Sequence, residues 1–189
     1  MAFMVEIYDA NERLIHLVND ILNIANIESG ADDRARNLQD FERMFLEVIE
    51  LFEPLAAARG QKIILERHTA LGKIMTSPVL FKDTLSNLLD NAIAYGDDGS
   101  QITVSATLDA RAMSYIVAVH NFGLGISPEE KENIFRKFYR SEKAKLMNPA
   151  GSGLGLYIAK ISVERNGGGI WYESGAGGAT FYFSVPNLI

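Results

Sequence analysis

The sequence predicts a two-layer α+β sandwich: a mixed, mainly antiparallel sheet with three helices on one face, preceded by one long helix. Helical periodicity and strand alternation are interspersed along the chain, and the strands come largely as hairpin pairs, which points to α+β layering. The opening thirty residues instead carry an unbroken helical seam. The chain has 189 residues, 48% of them apolar, enough for a real hydrophobic core.

In the opening segment, Phe3, Ile7, Ala10, Leu14, Leu17, Ile21 and Ile24 step by alternating four and three residues. That is the heptad seam of a helix lying along another helix. Glu28-Ser29-Gly30 ends it, and the polar stretch that follows reads as a linker over residues 31–36. The remaining chain, 37–189, is read as the main domain. Helical periodicity runs from Phe41 to Ala58 and stops near Gly60. Gln61 to Arg67 reads as a strand. Leu80 to Tyr95 is a second helix, with Ser77 as cap and Pro78 in its first turn. Gln101 to Leu108 and Ser114 to Val119 form strands joined by a turn around Asp109. A third helix spans Leu154 to Asn166, and strands follow at Ile170 to Glu173 and Ala179 to Val185.

Composition excludes several functions. The formal net charge is −6, which disfavours general binding to nucleic acid or anionic membranes. The absence of cysteine rules out disulfides, thiolate metal sites and cysteine nucleophiles. No run of residues is apolar and long enough to cross a bilayer. An anion bound here must be held by a local site.

Three local features could hold one. Asp83, Asn87 and Asn91 stand four residues apart, on a different face of their helix from the apolar stripe Leu85, Leu88, Leu89, Ala92 and Ile93. Asparagine is a poor helix former, so stacked asparagines are either a solvated face or a set of amide oxygens suited to Mg²⁺. Asn121-Phe122-Gly123-Leu124-Gly125-Ile126 follows a strand and is either a turn or a close backbone approach to a flat ligand. Gly151-Ser152-Gly153-Leu154-Gly155-Leu156 opens a helix, where free N–H groups and the helix dipole favour phosphate.

Taken in order with Asn133-Ile134-Phe135-Arg136-Lys137-Phe138-Tyr139-Arg140 and Gly178-Ala179-Thr180-Phe181, these stretches resemble the N, first glycine, F, second glycine and last glycine boxes of sensor histidine kinases. Leu14 to Gly30 likewise resembles the second helix of that family's dimerization hairpin. The resemblance implies the two-layer sandwich of the histidine kinase ATPase type, with 1–30 as the hairpin helix and 37–189 as the ATP-binding catalytic domain. It implies ATP and Mg²⁺ as cofactors, with Asn91 on the metal, Asn87 ordering metal and phosphates, and Arg140 stabilising the transferring phosphoryl group. Asn121 would meet the adenine amine and Gly123 and Gly125 would flank the base, with Tyr95, Ile126 and Thr180 also among the ATP-binding residues. Gly151, Ser152, Gly153, Leu154 and Gly155 would form the lid over the phosphates. Phe135 and Phe138 would anchor that lid by packing. In ATPases of the gyrase and chaperone type a glutamate base stands where Asn87 does; an amide cannot deprotonate water, which favours transfer to a protein acceptor.

The family's other properties follow as expectations: a homodimer through the dimerization helices, a response regulator as partner, no nucleic acid, and a cytoplasmic domain whose membrane attachment, if any, lies in other regions. The chain departs from the pattern in three places. Asn121 replaces an aspartate that accepts from the adenine amine, so adenine preference is expected to be weaker. Ala94 replaces a basic residue, for which Lys143 or Lys145 would substitute. Asp83 replaces a glutamine. None of His16, His68 and His120 has the His-Glu/Asp-x-Arg/Lys-x-Pro context of a phosphoacceptor. The expectation is a catalytic fragment that begins after the acceptor helix and leaves the seam to a neighbouring chain or to its own domain. A nucleotide-binding pseudokinase and an anti-sigma-type protein-serine kinase are the alternative readings.

Overall fold

The computed structural model describes residues 2–30, 36–67, 71–175 and 177–187. Helix α1 (Ala2–Ser29) leads into strand β1 (Asn37–Asp40), helix α2 (Phe41–Ala57) and strands β2 (Lys62–Arg67) and β3 (Lys73–Thr76). Helix α3 (Pro78–Tyr95), strands β4 (Gln101–Asp109) and β5 (Ser114–Asn121), short helix α4 (Glu142–Met147), helix α5 (Gly155–Arg165) and strands β6 (Ile170–Gly175) and β7 (Gly178–Pro186) follow. The main sheet has the order β2-β4-β5-β7-β6, with β2 and β4 parallel and the other pairs antiparallel. Helices α2, α3 and α5 cover one face, so the layered sandwich stands as expected. The linker at 31–35 and His68 lie outside the described residues.

Alternation along the strands puts the core between sheet and helices. Tyr115, Val117, Val119 and Asn121 of β5 point inward, as do Ala179, Phe181, Phe183 and Val185 of β7. An aromatic cluster fills the centre: Phe41 meets Tyr115 at 4.7 Å and Phe81 at 5.3 Å between ring centroids, and Phe81 meets Phe183 at 5.8 Å. The helix starts follow the sequence: Asp40 accepts from the Arg43 amide, and Ser77 accepts from that of Leu80 with Pro78 in the first turn. Two short strands escaped the sequence reading. β1 and β3 form a separate antiparallel pair of four residues each, too short to show alternation.

α1 divides its apolar residues between two surroundings. Ile24 and Ile27 are buried against Leu80, Leu154 and Ile158, with Leu17 packed beside them. Glu28 Oε1 accepts from Lys137 Nζ at 3.0 Å and Tyr157 Oη at 3.1 Å, while its carbonyl accepts from Arg165 at 2.9 Å. These contacts, the Lys137 bond first, hold the Glu28 carboxyl below its usual range. The seam residues Ile7, Leu14 and Ile21 remain about half exposed. Among the described residues no helix is long and apolar enough to cross a membrane.

The β6–β7 turn depends on Gly178, whose φ is +127° and where a Cβ would lie 1.9 Å from the Asn121 carbonyl oxygen. Gly178→Ala is predicted to lower stability by roughly 2–4 kcal/mol, combining backbone strain with overpacking. Gly177→Ala, in the same turn with open space around it, should be near neutral. Urea midpoints of the two variants check this; equal midpoints would show that the turn can shift without cost.

Candidate functional site

One large cleft, about 980 Å³, opens between α3, the loop after β5, the glycine-rich stretch before α5, and α1. Its geometry starts with a backbone seam. The end of α3 is stitched to the loop by Asp97 N–H to the Phe122 carbonyl (2.8 Å), Leu124 N–H to the Tyr95 carbonyl (3.0 Å) and a bridge between Gly96 and Gly123. At Gly123, φ is +145° and a Cβ would sit 2.4 Å from the Tyr95 oxygen, so no side chain is accommodated there. Gly123 therefore serves the close approach of two chain segments and does not line the cleft. Gly125 and Ile126 do line it. The Ile126 amide is held by Ser174 Oγ at 2.7 Å.

Asn87, Asn91 and Tyr95 all face the cleft from α3. Asn87 Nδ2 donates back to the Asp83 carbonyl at 2.8 Å, which turns Oδ1 toward α5. A Cβ at Gly155 would lie 2.9 Å from that oxygen, so the glycine lets the start of α5 come up against the amide face. Asn121 enters from the inner face of β5 and is 2% exposed, with Nδ2 unpartnered.

The lid is held by Arg140. Its guanidinium donates to the carbonyls of Gly151 (2.8 Å), Ala144 (2.7 Å) and Asn148, leaving Nε buried without a partner. Sequence reasoning gave this arginine to the phosphoryl group; in the structure three of its five N–H donors are committed to backbone carbonyls of the lid. Gly151, Ser152, Gly153 and Gly155 line the cleft.

Other sequence assignments change. Thr180 lies on the outer sheet face, where Oγ1 hydrogen-bonds with His120 Nδ1 at 2.9 Å; strand alternation presents Ala179 and Phe181 to the cleft instead. Leu154 is fully buried among the residues that seat α1, so its side chain is unavailable to a ligand. Lys143 and Lys145 are on α4 outside the cleft lining, and Lys145 pairs with Glu142 at 2.5 Å. Phe135 packs edge-on against Tyr172 and Phe181, whereas Phe138, with φ +63°, is 59% exposed.

That α1 reaches this site was not legible in its heptad pattern. Arg13, His16 and Asp20, at spacings of three and four, present one helix face to the cleft. Asp20 Oδ2 accepts from Ser152 Oγ at 2.8 Å, and Ser152 Oγ accepts in turn from the Leu154 amide at 3.2 Å. Burial raises the Asp90 carboxyl above its usual range; His16 opposes the rise and Asp20 adds to it. Only tertiary packing brings Asp20 to Ser152 and to Asp90.

The cleft is thus walled by an asparagine helix, a strand-end glycine loop and a glycine-rich helix start. Residues 76–189 match the family described as histidine kinase-, DNA gyrase B- and HSP90-like ATPases. The chain belongs to that family. Its relatives within it are sensor kinases. It is 29% identical over 193 residues to sensor histidine kinase WalK of Bacillus subtilis (strain 168), covering 97% of this chain and 30% of that protein. It is 31% identical over 194 residues to sensor protein SrrB of Staphylococcus aureus (strain NCTC 8325 / PS 47), covering 95% and 30%. The chain thus spans about a third of the length of these relatives. The solved catalytic domain of histidine kinase ThkA superposes with a TM-score of 0.70 at 26% identity, covering 80% of this chain and 95% of that one. Full-length ShkA in complex with AMPPNP shares the fold, with a TM-score of 0.79 at 23% identity over 98% of this chain and 38% of that one.

Arg140→Gln is predicted to loosen the lid, because three carbonyls lose a charged donor worth about 1.5–3 kcal/mol per bond. Trypsin cleavage after Lys143 and Lys145 should accelerate at least roughly tenfold while the core stays intact. An unchanged cleavage rate would mean that the lid is held by other contacts.

Proposed function

We propose that this chain is the catalytic region of a sensor histidine kinase, which binds Mg²⁺-ATP and transfers the γ-phosphate to a histidine on a helix paired with α1. The observation that carries the reading is the Asn87–Asn91 amide face set against the glycine-rich start of α5. Backbone N–H groups and the dipole at that helix start suit the phosphates. Asn91, with Asn87 one turn away, would hold Mg²⁺ through neutral oxygen donors, the kind this ion takes when phosphate and water complete its shell. When bound, the ion neutralises charge on the phosphates. Arg140 lines the cleft beside the glycine-rich stretch and would lie near the phosphoryl oxygens.

The residue at position 87 is an amide, so the site has no carboxylate there to take a proton from water, and hydrolysis is disfavoured against transfer. In that transfer an imidazole nitrogen attacks the γ-phosphorus, the bond to the ADP oxygen breaks, and the imidazole proton is released. The exposed seam at Ile7, Leu14 and Ile21 supports a helical partner for α1 and dimerization through that face. A response regulator is the proposed recipient of the phosphate, in keeping with the structure of ThkA in complex with the response regulator protein TrrA. The domain would work on the cytoplasmic side.

Asn91→Ala is predicted to abolish Mg²⁺-dependent ATP affinity without unfolding the chain, since Asn91 is only half-buried on the cleft face. Calorimetric titration with and without Mg²⁺ tests it, and an unchanged metal dependence would remove Asn91 from the metal site.

The chain is further predicted to bind ATP yet take no phosphate on its own histidines, while labelling a separate acceptor helix of the His-Glu/Asp-x-Arg/Lys-x-Pro type slowly in trans. Radiolabelled ATP checks both halves. Acid-labile label on this chain alone would contradict the first and point to His16, which faces the cleft. An unlabelled acceptor despite ATP binding would favour a pseudokinase.

A further inference from the structure

We infer that Asn121 makes this cleft accept 6-oxopurine nucleoside triphosphates as well as ATP, an inference that rests on the nucleotide-binding reading above. Among the described residues, Asn121 is the one buried polar residue that lines the cleft. Ile93, Ile126, Ala179 and Phe181 contribute apolar wall to the same cleft. A flat base suits such walls, and a buried polar group among the lining residues can decide which base edge is read.

The amide is not committed to one orientation. Its Nδ2 is buried without a hydrogen-bond partner. The residues directly across the sheet are Ile102 and Ala179, neither of which has a polar side chain. Among the described residues none holds the amide one way round, so a half-turn about the last side-chain bond exchanges donor and acceptor without breaking a bond.

A base placed with its 6-position toward residue 121 then meets a group that can answer either pattern. Adenine offers its 6-amino donor and the N1 acceptor; Oδ1 accepts the first and Nδ2 donates to the second. Hypoxanthine and guanine offer the O6 acceptor and the N1–H donor; the flipped amide donates to O6 and accepts from N1–H. Either pairing satisfies the orphaned donor, whose burial without a partner is otherwise costly. A carboxylate at this position would accept only, and would face O6 acceptor to acceptor.

The test is calorimetric titration of the whole chain with Mg²⁺-ATP and Mg²⁺-ITP; inosine lacks the 2-amino group, so the comparison reads the 6-position alone. The wild-type chain should bind the two within about tenfold of each other. Asn121→Asp should tighten ATP and loosen ITP, moving their ratio by roughly 10- to 100-fold, the span of one charge-assisted hydrogen bond. Asn121→Ala, which buries no charge, should weaken both by the same factor. The inference is overturned if the wild type binds ATP but rejects ITP by more than about a hundredfold, or if Asn121→Ala weakens only ATP. Failure of the wild type to bind either nucleotide would bring down the nucleotide-binding reading itself, and this inference with it.

Discussion

The site depends on the backbone stitch between the end of α3 and the loop after β5. Two hydrogen bonds and one glycine–glycine bridge bring Tyr95 and Leu124 together, and they close only because neither Gly96 nor Gly123 has a Cβ. The stitch fixes the rotation of α3 about its axis relative to the sheet. That rotation sets where Asn87 and Asn91 point, and the same loop carries Gly125 and Ile126 into the cleft wall. The asparagine face of α3 and the wall formed by Gly125 and Ile126 are therefore positioned by one backbone seam.

The lid is built from short pieces, a 3₁₀ turn at Pro128–Glu130 and the six-residue α4, held by side chain–backbone bonds more than by apolar packing. Ser127 N–H binds Glu130, Ser141 caps α4, and the Arg140 guanidinium spans three carbonyls. Exposed Phe138 and Leu146 contribute little to the core. Such a segment opens at low cost compared with the aromatic cluster around Phe41 and Phe81.

The sequence made the helices and long strands legible because their apolar periods are strong and their caps explicit, as at Ser77-Pro78 before α3. The asparagine ladder and the glycine runs were legible too, since those residues are poor fits to helix or strand unless backbone or amide groups are wanted there. The missed parts share a cause. β1 and β3 are too short for a period to register. Thr180 was misplaced by one pleat: a box can be read in sequence without knowing which neighbour faces inward. The carbonyl partners of Arg140, four to eleven residues on, were not foreseen because they belong to a lid fold that no periodicity encodes. The cleft-facing side of α1 was hidden because the contacts of Asp20 and Glu28 span more than a hundred residues.

The bond from Ser152 to Asp20 has a thermodynamic consequence. It joins a residue between two lid glycines to a helix that also carries a half-exposed apolar seam. Two equilibria share that bond: the seating of α1 on the domain and the arrangement of the glycine strand. Linkage requires that any factor by which a phosphate-bearing ligand alters the seating constant be returned, equal in size, as a factor on its own affinity when α1 is moved by other means. A twist imposed on the helix from its far end is then measurable as a change in a dissociation constant at the cleft.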